Sequence, residues 1–188
     1  MIERLTPETF AAALPGLAEL LVDAVRGGAS IGFLAGFDHD QATAWWHDRA
    51  AAVADETLAV WTVTGPDGPA GTISLAYADK PNARHRAEVV KLAVHRDHRG
   101  KGLGRRLLAT AEQAAAASGI TMLLLDTETD SAADRLYRSA GWLRYGIVPD
   151  YAAGPTGELR PCSFYYKPIS LEPGARAADG GACLPPSS

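Results

Sequence analysis

The spacing of hydrophobic residues predicts that the chain begins with helices. Apolar residues recur at helical intervals from Phe10 to Val25, after a helix-capping residue at Thr6 and a proline at the first helical position. Pro15 lies inside this stretch, so we expect a kinked or split helix there. A second helix is predicted over about residues 40–55, and it carries Trp45 and Trp46.

The rest of the pattern alternates between strands and helices. Residues 57–64 and 71–77 are rich in β-branched and aromatic side chains, and the turn residues between them predict a hairpin. Further strands are predicted over 88–94, 120–126, 142–148 and 163–168, and helices over 102–118 and 131–140. This order predicts one α/β (α+β) domain with a mixed sheet over residues 1–170. Pro, Gly, Ala and Ser dominate residues 171–188, where we expect a disordered tail.

Composition narrows the class of protein. The chain has 188 residues, of which 47% are hydrophobic and 21% charged, as in ordinary globular domains. It contains no apolar run of about 18 residues, the length that a membrane-spanning helix needs. The cysteines, Cys162 and Cys183, form neither a disulfide framework nor a metal-binding spacing. We therefore expect a cytoplasmic protein without a structural metal and without a membrane partner.

Basic residues are concentrated in one segment of an otherwise acidic chain. Residues 84–106 carry a net charge of +6, although the whole chain carries −4. One interpretation is a solvated charged surface, and the other is a local site for an anion. The pI of about 5.7 argues against a nucleic-acid partner, since nucleic-acid-binding domains are usually basic as a whole.

A glycine-rich loop lies within this basic segment, between a predicted strand and a predicted helix. Its core is Arg99-x-x-Gly102-x-Gly104. Glycines allow close approach to a ligand, and the amides at a helix N-terminus attract negative charge, so a diphosphate is the expected occupant. A Walker A loop is excluded because Gly102 follows Lys101, and a Rossmann fingerprint is excluded by Leu107. A glycine-rich turn without a ligand is the alternative.

The segment resembles the acetyl-CoA signature of the GCN5-related N-acetyltransferases. A second stretch, Ala133-x-x-Leu136-Tyr137-x-x-x-Gly141-Trp142, is similar to a helix motif of that family, and the resemblance covers about residues 5–168. It implies a mixed, mostly antiparallel sheet flanked by helices. It also implies that acetyl-CoA lies between two splayed parallel strands, here near residues 92–94 and 123–126.

The resemblance also implies which residues hold the cofactor. Many family members have an asparagine before the second motif, where this chain has Asp130. The implied cofactor-binding residues are Leu92, Ala93, Val94, Arg99, Gly100, Lys101, Gly102, Leu103, Gly104, Arg105 and Asp130.

Two carboxylates are candidates for binding and deprotonating an amine. Glu88 matches the base position of the family, although an exposed carboxylate paired with Lys91 or Arg86 is the alternative. An ordinary glutamate is about six pKa units more acidic than an alkylammonium ion, so Glu88 needs a raised pKa or a bridging water. Asp126 ends the next predicted strand, where it either caps a helix or flanks the amine together with Glu88.

Tyr137 matches the general acid of the family, which returns a proton to the departing thiolate. Its alternative interpretation is a core aromatic residue of an amphipathic helix. Ser30, Phe33 and Trp46 are predicted to line the amine pocket, and Trp45 and Trp46 cannot both face inward on one helix.

These features together predict an enzyme that acetylates an amine of a small molecule, for example a toxin or an antibiotic. The alternative is a catalytically weak acyl-CoA-binding sensor or regulator. The oligomeric state remains open between monomer and homodimer.

Overall fold

A computed structural model describes residues 1–65 and 68–170. The helices are α1 (Pro7–Arg26), α2 (His39–His47), α3 (Ala50–Ala54), α4 (Leu103–Ala117) and α5 (Ala132–Ser139). The strands are β1 (Ile2–Arg4), β2 (Leu58–Gly65), β3 (Gly68–Tyr77), β4 (Arg86–Val94), β5 (Met122–Glu128), β6 (Leu143–Ala153) and β7 (Leu159–Pro168). Short 3-10 turns occupy Pro81–Ala83 and Arg96–His98.

The strands form a mixed and mostly antiparallel sheet, which confirms the predicted fold class. Its order is β1-β2-β3-β4-β5-β7-β6, and β4 and β5 are the parallel neighbours within it. These two strands pair only from Arg86 with Met122 to Glu88 with Leu124. Beyond Glu88 they diverge, so the splayed pair expected from the resemblance is present.

Helices cover both faces of the sheet and give each face its own core. On one face, α4 and α5 pack over Ile73, Leu75 and Leu123. On the other face, α1 and α2 pack over Leu58 and Val60. Successive side chains of a strand point to opposite faces of the sheet, so neighbouring residues of a central strand are buried in different cores. The sequences of the central strands are therefore nearly continuous apolar runs.

Some boundaries differ from the sequence prediction. Helix α1 continues through Pro15 without a split, because Phe10, Leu17 and Leu21 bury one continuous face. The predicted helix over 40–55 is instead two helices, and the break falls at residues 48 and 49. Strand β1 was not predicted, since its three residues are too few for a periodic pattern.

The predicted tail over 171–188 and the central turn residues 66 and 67 lie outside the described residues. Within the described ranges, no helix combines the length and the apolar character that a bilayer crossing requires.

Candidate active site

The divergence of β4 and β5 opens a cavity of about 930 Å³. Its walls come from β4, β5, the loop before α4, the first turn of α5 and the segment after α1. Because β5 leaves β4 after Glu88, the backbone of residues 89–94 has no strand partner on that side. This free edge can pair with an extended polar ligand, and Leu92, Ala93 and Val94 form part of the wall.

A β-bulge changes the direction of β4 inside the cavity. The pairing with β3 shifts between Thr72, opposite Ala93, and Ser74, opposite Val90. Lys91 lies in the bulge with a left-handed φ of 53°. A bulge twists its strand and reorients the side chains that follow, so it adds to the divergence from β5.

The glycine loop and the start of α4 present a row of free amide groups. Gly100 and Gly102 both have φ near 74°, and a Cβ on either would meet no atom within 4 Å. Among the described residues, the amides of residues 100–105 donate no hydrogen bond, and Arg106 is the first to do so, to the Gly102 carbonyl oxygen. Unpaired amides at a helix N-terminus are suited to an anion such as a diphosphate.

The basic side chains of this loop mostly bind the protein itself. Arg99 donates from Nε to the Val94 carbonyl oxygen at 3.0 Å and from Nη2 to Asp23 at 3.4 Å. Arg105 donates to Ser139. Lys101 donates to the Asp97 carbonyl oxygen at 2.8 Å and does not belong to the cavity wall. The predicted anion contact therefore falls mainly to backbone amides.

Asp23 anchors this loop, and sequence reasoning missed it. It lies near the end of α1, is only 3% exposed, and accepts hydrogen bonds from the Arg96 amide at 3.0 Å and from the Arg96 side chain. Arg99 and His95 complete the cluster around it. An aspartate within an apolar helical stretch was the available signal, since a buried carboxylate requires donors.

Asp130, which is predicted to contact the cofactor, lies outside the wall of this cavity. It is exposed and has a φ of 61°, in the turn before α5. Its amide donates to Asp134, and its carbonyl oxygen accepts from Arg135. The neighbouring Ser131 lines the cavity instead and caps α5 through the Asp134 amide at 3.0 Å.

The structure brings Glu88, Asp126 and Tyr137 into the wall of the same cavity. Glu88 is exposed to the cavity, yet partial loss of water and then the negative charge of Asp126 raise its pKa. The positive charge of Lys91 lowers the pKa of Glu88 in opposition. A raised pKa is what a carboxylate needs in order to accept a proton from an amine.

Asp126 does not cap α5, because Ser131 does so. Instead Asp126 is one of two acceptors beside the Cys162 thiol, at 3.3 Å, and the Thr127 carbonyl oxygen is the other, at 3.0 Å. Burial and then the contact with Asp126 raise the pKa of Cys162 to about 12, so the thiol stays protonated at neutral pH.

Tyr137 is 5% exposed and packs against Trp142 and Tyr165, with ring centroids 5.8 and 6.2 Å away. Its hydroxyl makes no hydrogen bond to any described residue, so it is available to a ligand in the cavity. Burial, and to a smaller extent Asp126, raise the pKa of Tyr137 above its ordinary value. The group therefore holds its proton at neutral pH.

The three residues predicted for the amine pocket lie in different places. Ser30 lines the main cavity. Phe33 stacks on Phe37 at 3.9 Å, beside the cavity rather than in its wall. Trp46 is a core residue, 0% exposed and edge-on to Phe10, and Trp45 is the tryptophan that approaches Lys91. Trp46 also borders a second, smaller cavity, and the helical pattern alone does not fix the rotation of α2.

The chain belongs to the acetyltransferase (GNAT) family, whose model matches residues 22–142. The match includes the splayed strands, the glycine loop and the helix with Tyr137. No group of three or more His, Cys, Asp or Glu residues that could hold a metal occurs within residues 1–65 and 68–170.

Individual proteins that are similar to this chain are also named as acetyltransferases. Human N-acetyltransferase 8B is 31% identical over 116 residues, which are 61% of this chain and 51% of that protein. The chain spans about half the length of the curated relatives it matches. Among solved structures, yncA of Salmonella typhimurium, determined with its cofactor acetyl-CoA, has a TM-score of 0.71 at 24% identity and covers 96% of this chain and 98% of its own.

A ribosomal-protein-alanine N-acetyltransferase from Brucella melitensis has the same fold. Its TM-score is 0.71 at 24% identity, and the match covers 90% of this chain and 99% of that one. At this identity the two solved structures support the fold of this chain and do not identify its substrate.

Proposed function

We propose that the protein transfers the acetyl group of acetyl-CoA to an amine of a small molecule. The observation that carries this proposal is the convergence of Glu88, Asp126 and Tyr137 on one cavity with the free amides of residues 100–105. A site for the acyl donor thus adjoins groups that can handle the protons of the reaction. The family, and the acetyl-CoA bound to the similar yncA, support the choice of donor.

The free amides of residues 100–105 would hold the diphosphate of the donor. The unpaired edge of β4 would pair with its extended arm, which leads the thioester toward Glu88. When bound, acetyl-CoA supplies a thioester carbonyl that is open to attack by an amine. Asp23 positions the loop by holding Arg96 and Arg99.

Glu88 and Asp126 would attract the ammonium form of the substrate and receive its proton, directly or through water. The raised pKa of Glu88 narrows the gap to the amine and favours that transfer. The new bond joins the amine nitrogen to the carbonyl carbon, and the carbon–sulfur bond breaks. Tyr137 would give its proton to the departing thiolate; the burial that raises the pKa of Tyr137 also raises that of a thiolate in the same place.

A narrower resemblance supports a role in detoxification. Four stretches are similar to the tabtoxin resistance acetyltransferase, and they cover residues 27–33, 86–92, 125–128 and 165–167. Resistance to a toxin or an antibiotic is therefore the role we infer. A protein amine is the competing acceptor, because one similar structure is a ribosomal-protein-alanine N-acetyltransferase. Cys162 is a free buried thiol, which agrees with a reducing compartment such as the cytoplasm.

The variant Tyr137→Phe tests the enzyme against a sensor that only binds acyl-CoA. It removes one hydroxyl and keeps the ring between Trp142 and Tyr165, so the fold should survive. Turnover should fall by about 10²–10⁴-fold, the usual contribution of a positioned proton donor. Acetyl-CoA affinity, measured by calorimetry, should stay within a few-fold. Wild-type turnover in this variant would remove Tyr137 from the mechanism.

A further inference from the structure

A second cavity of about 360 Å³ lies between α2, α3 and the central strands. Trp46, Arg49, Ser74 and Lys91 are among its lining residues. Lys91 and the adjacent Val90 also line the main cavity. The second cavity therefore adjoins the main one at β4, a few residues beyond Glu88.

Two buried hydrogen-bond donors in the wall of this cavity lack acceptors. Trp46 Nε1 and Ser74 Oγ are buried and have no hydrogen-bond partner among the described residues, and both residues are 0% exposed. An indole N–H can only donate a hydrogen bond. Buried donors without acceptors are uncommon in folded proteins and call for a partner that the chain itself does not supply.

Two cationic side chains, those of Arg49 and Lys91, line this second cavity. The Arg49 guanidinium lies 3.2 Å above the centre of the Trp45 ring, and Lys91 Nζ lies 5.0 Å from that centre. Both donate to backbone carbonyl oxygens: Arg49 to Trp45, and Lys91 to Ile31 at 2.8 Å. Burial, and next the like charge of Arg49, lower the pKa of Lys91. Each cation has further N–H groups to donate.

We propose that the second cavity binds a carboxylate carried by the acceptor amine, through Arg49, Lys91, Ser74 Oγ and Trp46 Nε1. Every one of these groups can donate a hydrogen bond, and two are cationic, so a carboxylate, with its negative charge and two acceptor oxygens, suits them better than a neutral alcohol or an ammonium group. Glu88 and Asp126 attract the ammonium end of the same molecule in the main cavity. The substrate is therefore a zwitterion such as an amino acid.

The spacing of the two sites suits an amino acid whose amine and carboxylate lie several bonds apart. Glu88 and Lys91 are three residues apart on β4, and the bulge at Lys91 brings them closer than the roughly 10 Å of three fully extended residues. A molecule held at both ends thus spans several bonds between its amine and its carboxylate. This inference names the substrate class of the acetyl transfer proposed above and rests on it.

Matched pairs of amines with and without the carboxylate test the inference. L-lysine with cadaverine, 5-aminopentanoate with n-butylamine, and 6-aminohexanoate with n-pentylamine are offered with acetyl-CoA, and CoA release is followed. In the preferred pair we expect kcat/KM to favour the amino acid by about 10- to 100-fold, the value of charge-assisted hydrogen bonds. Arg49→Gln should abolish this preference through KM. Arg84→Gln removes an equal charge from an exposed residue outside both cavities and should preserve it.

An NMR binding measurement tests the carboxylate site independently of turnover. The indole N–H resonance of Trp46, assigned with Trp46→Phe, should shift when sodium acetate replaces sodium chloride at equal ionic strength. It should not shift in Arg49→Gln. No response of this resonance to acetate or to any of the amino acids would overturn the carboxylate site. Equal kcat/KM within every pair would also overturn it and leave acetyl transfer standing, whereas no CoA release from any amine would count against the proposed function instead.

Discussion

Replacing Gly102 with alanine perturbs the diphosphate site with a single methyl group. Gly102 has a φ of 74°, a conformation that disfavours every residue with a Cβ. A Cβ at this position meets no atom of residues 1–65 and 68–170 within 4 Å, so it enters the space where the diphosphate is expected. The substitution therefore has two separable effects, backbone strain and obstruction of the ligand.

The two effects have different sizes. Left-handed backbone costs an alanine about 1–2 kcal/mol, which lowers the melting temperature of a chain this long by about 2–8 °C. Displacing the diphosphate from one amide loses a hydrogen bond to a charged group, about 1.5–3 kcal/mol, so the dissociation constant for acetyl-CoA should rise by about 10- to 150-fold.

Gly119 provides the matched control. It follows α4 with a φ of 75°, and a Cβ there also meets nothing within 4 Å, but it lies outside the main cavity wall. Gly119→Ala should lose the same stability and keep full affinity for acetyl-CoA. Calorimetry gives the affinity of both variants, and thermal unfolding without ligand gives their stability. Equal affinity in the two variants would refute the placement of the diphosphate at Gly102.

The remaining predictions concern the proton-handling groups, the loop anchor and the ligand. Glu88→Gln should remove the acidic limb of the profile of kcat/KM against pH, and a retained limb would point to another base. Asp126→Asn removes a negative charge that raises the pKa of Glu88, so the limb should move to lower pH; a shift upward would contradict the coupling. Asp23→Asn should weaken acetyl-CoA binding by loosening the loop at Arg96, while Arg84→Gln should not. Acetyl-CoA at 100 times its dissociation constant should stabilise the fold by about 2.7 kcal/mol, seen as a higher melting temperature.

The features that sequence predicted well are local ones. The cap at Thr6 and the turn chemistry of the glycine loop depend on residues only a few positions apart, and the structure contains both of them. Predicting Thr6 and the glycines required no knowledge of the tertiary fold.

The features that were missed depend on distant contacts. Asp23 meets Arg96 across 73 positions, and Ser74 lacks a partner only because of what surrounds it. The rotation that buries Trp46 is set by packing against Phe10. The family resemblance places Asp130 at the cofactor by its position in the motif, whereas in the structure it lies in a turn with a φ of 61° outside the cavity wall. Periodicity and motif spacing carry no information on such long-range geometry.

The measurement that tests the central claim most directly is the stoichiometry of acetyl transfer. Acetyl-CoA is supplied with a panel of small amines, CoA release is followed, and the products are identified by mass spectrometry. We predict one acetylated amine for each CoA released, with both reduced together in Tyr137→Phe. Acetyl-CoA that binds to the folded protein but yields no acetylated product with any amine would contradict the account and favour a sensor.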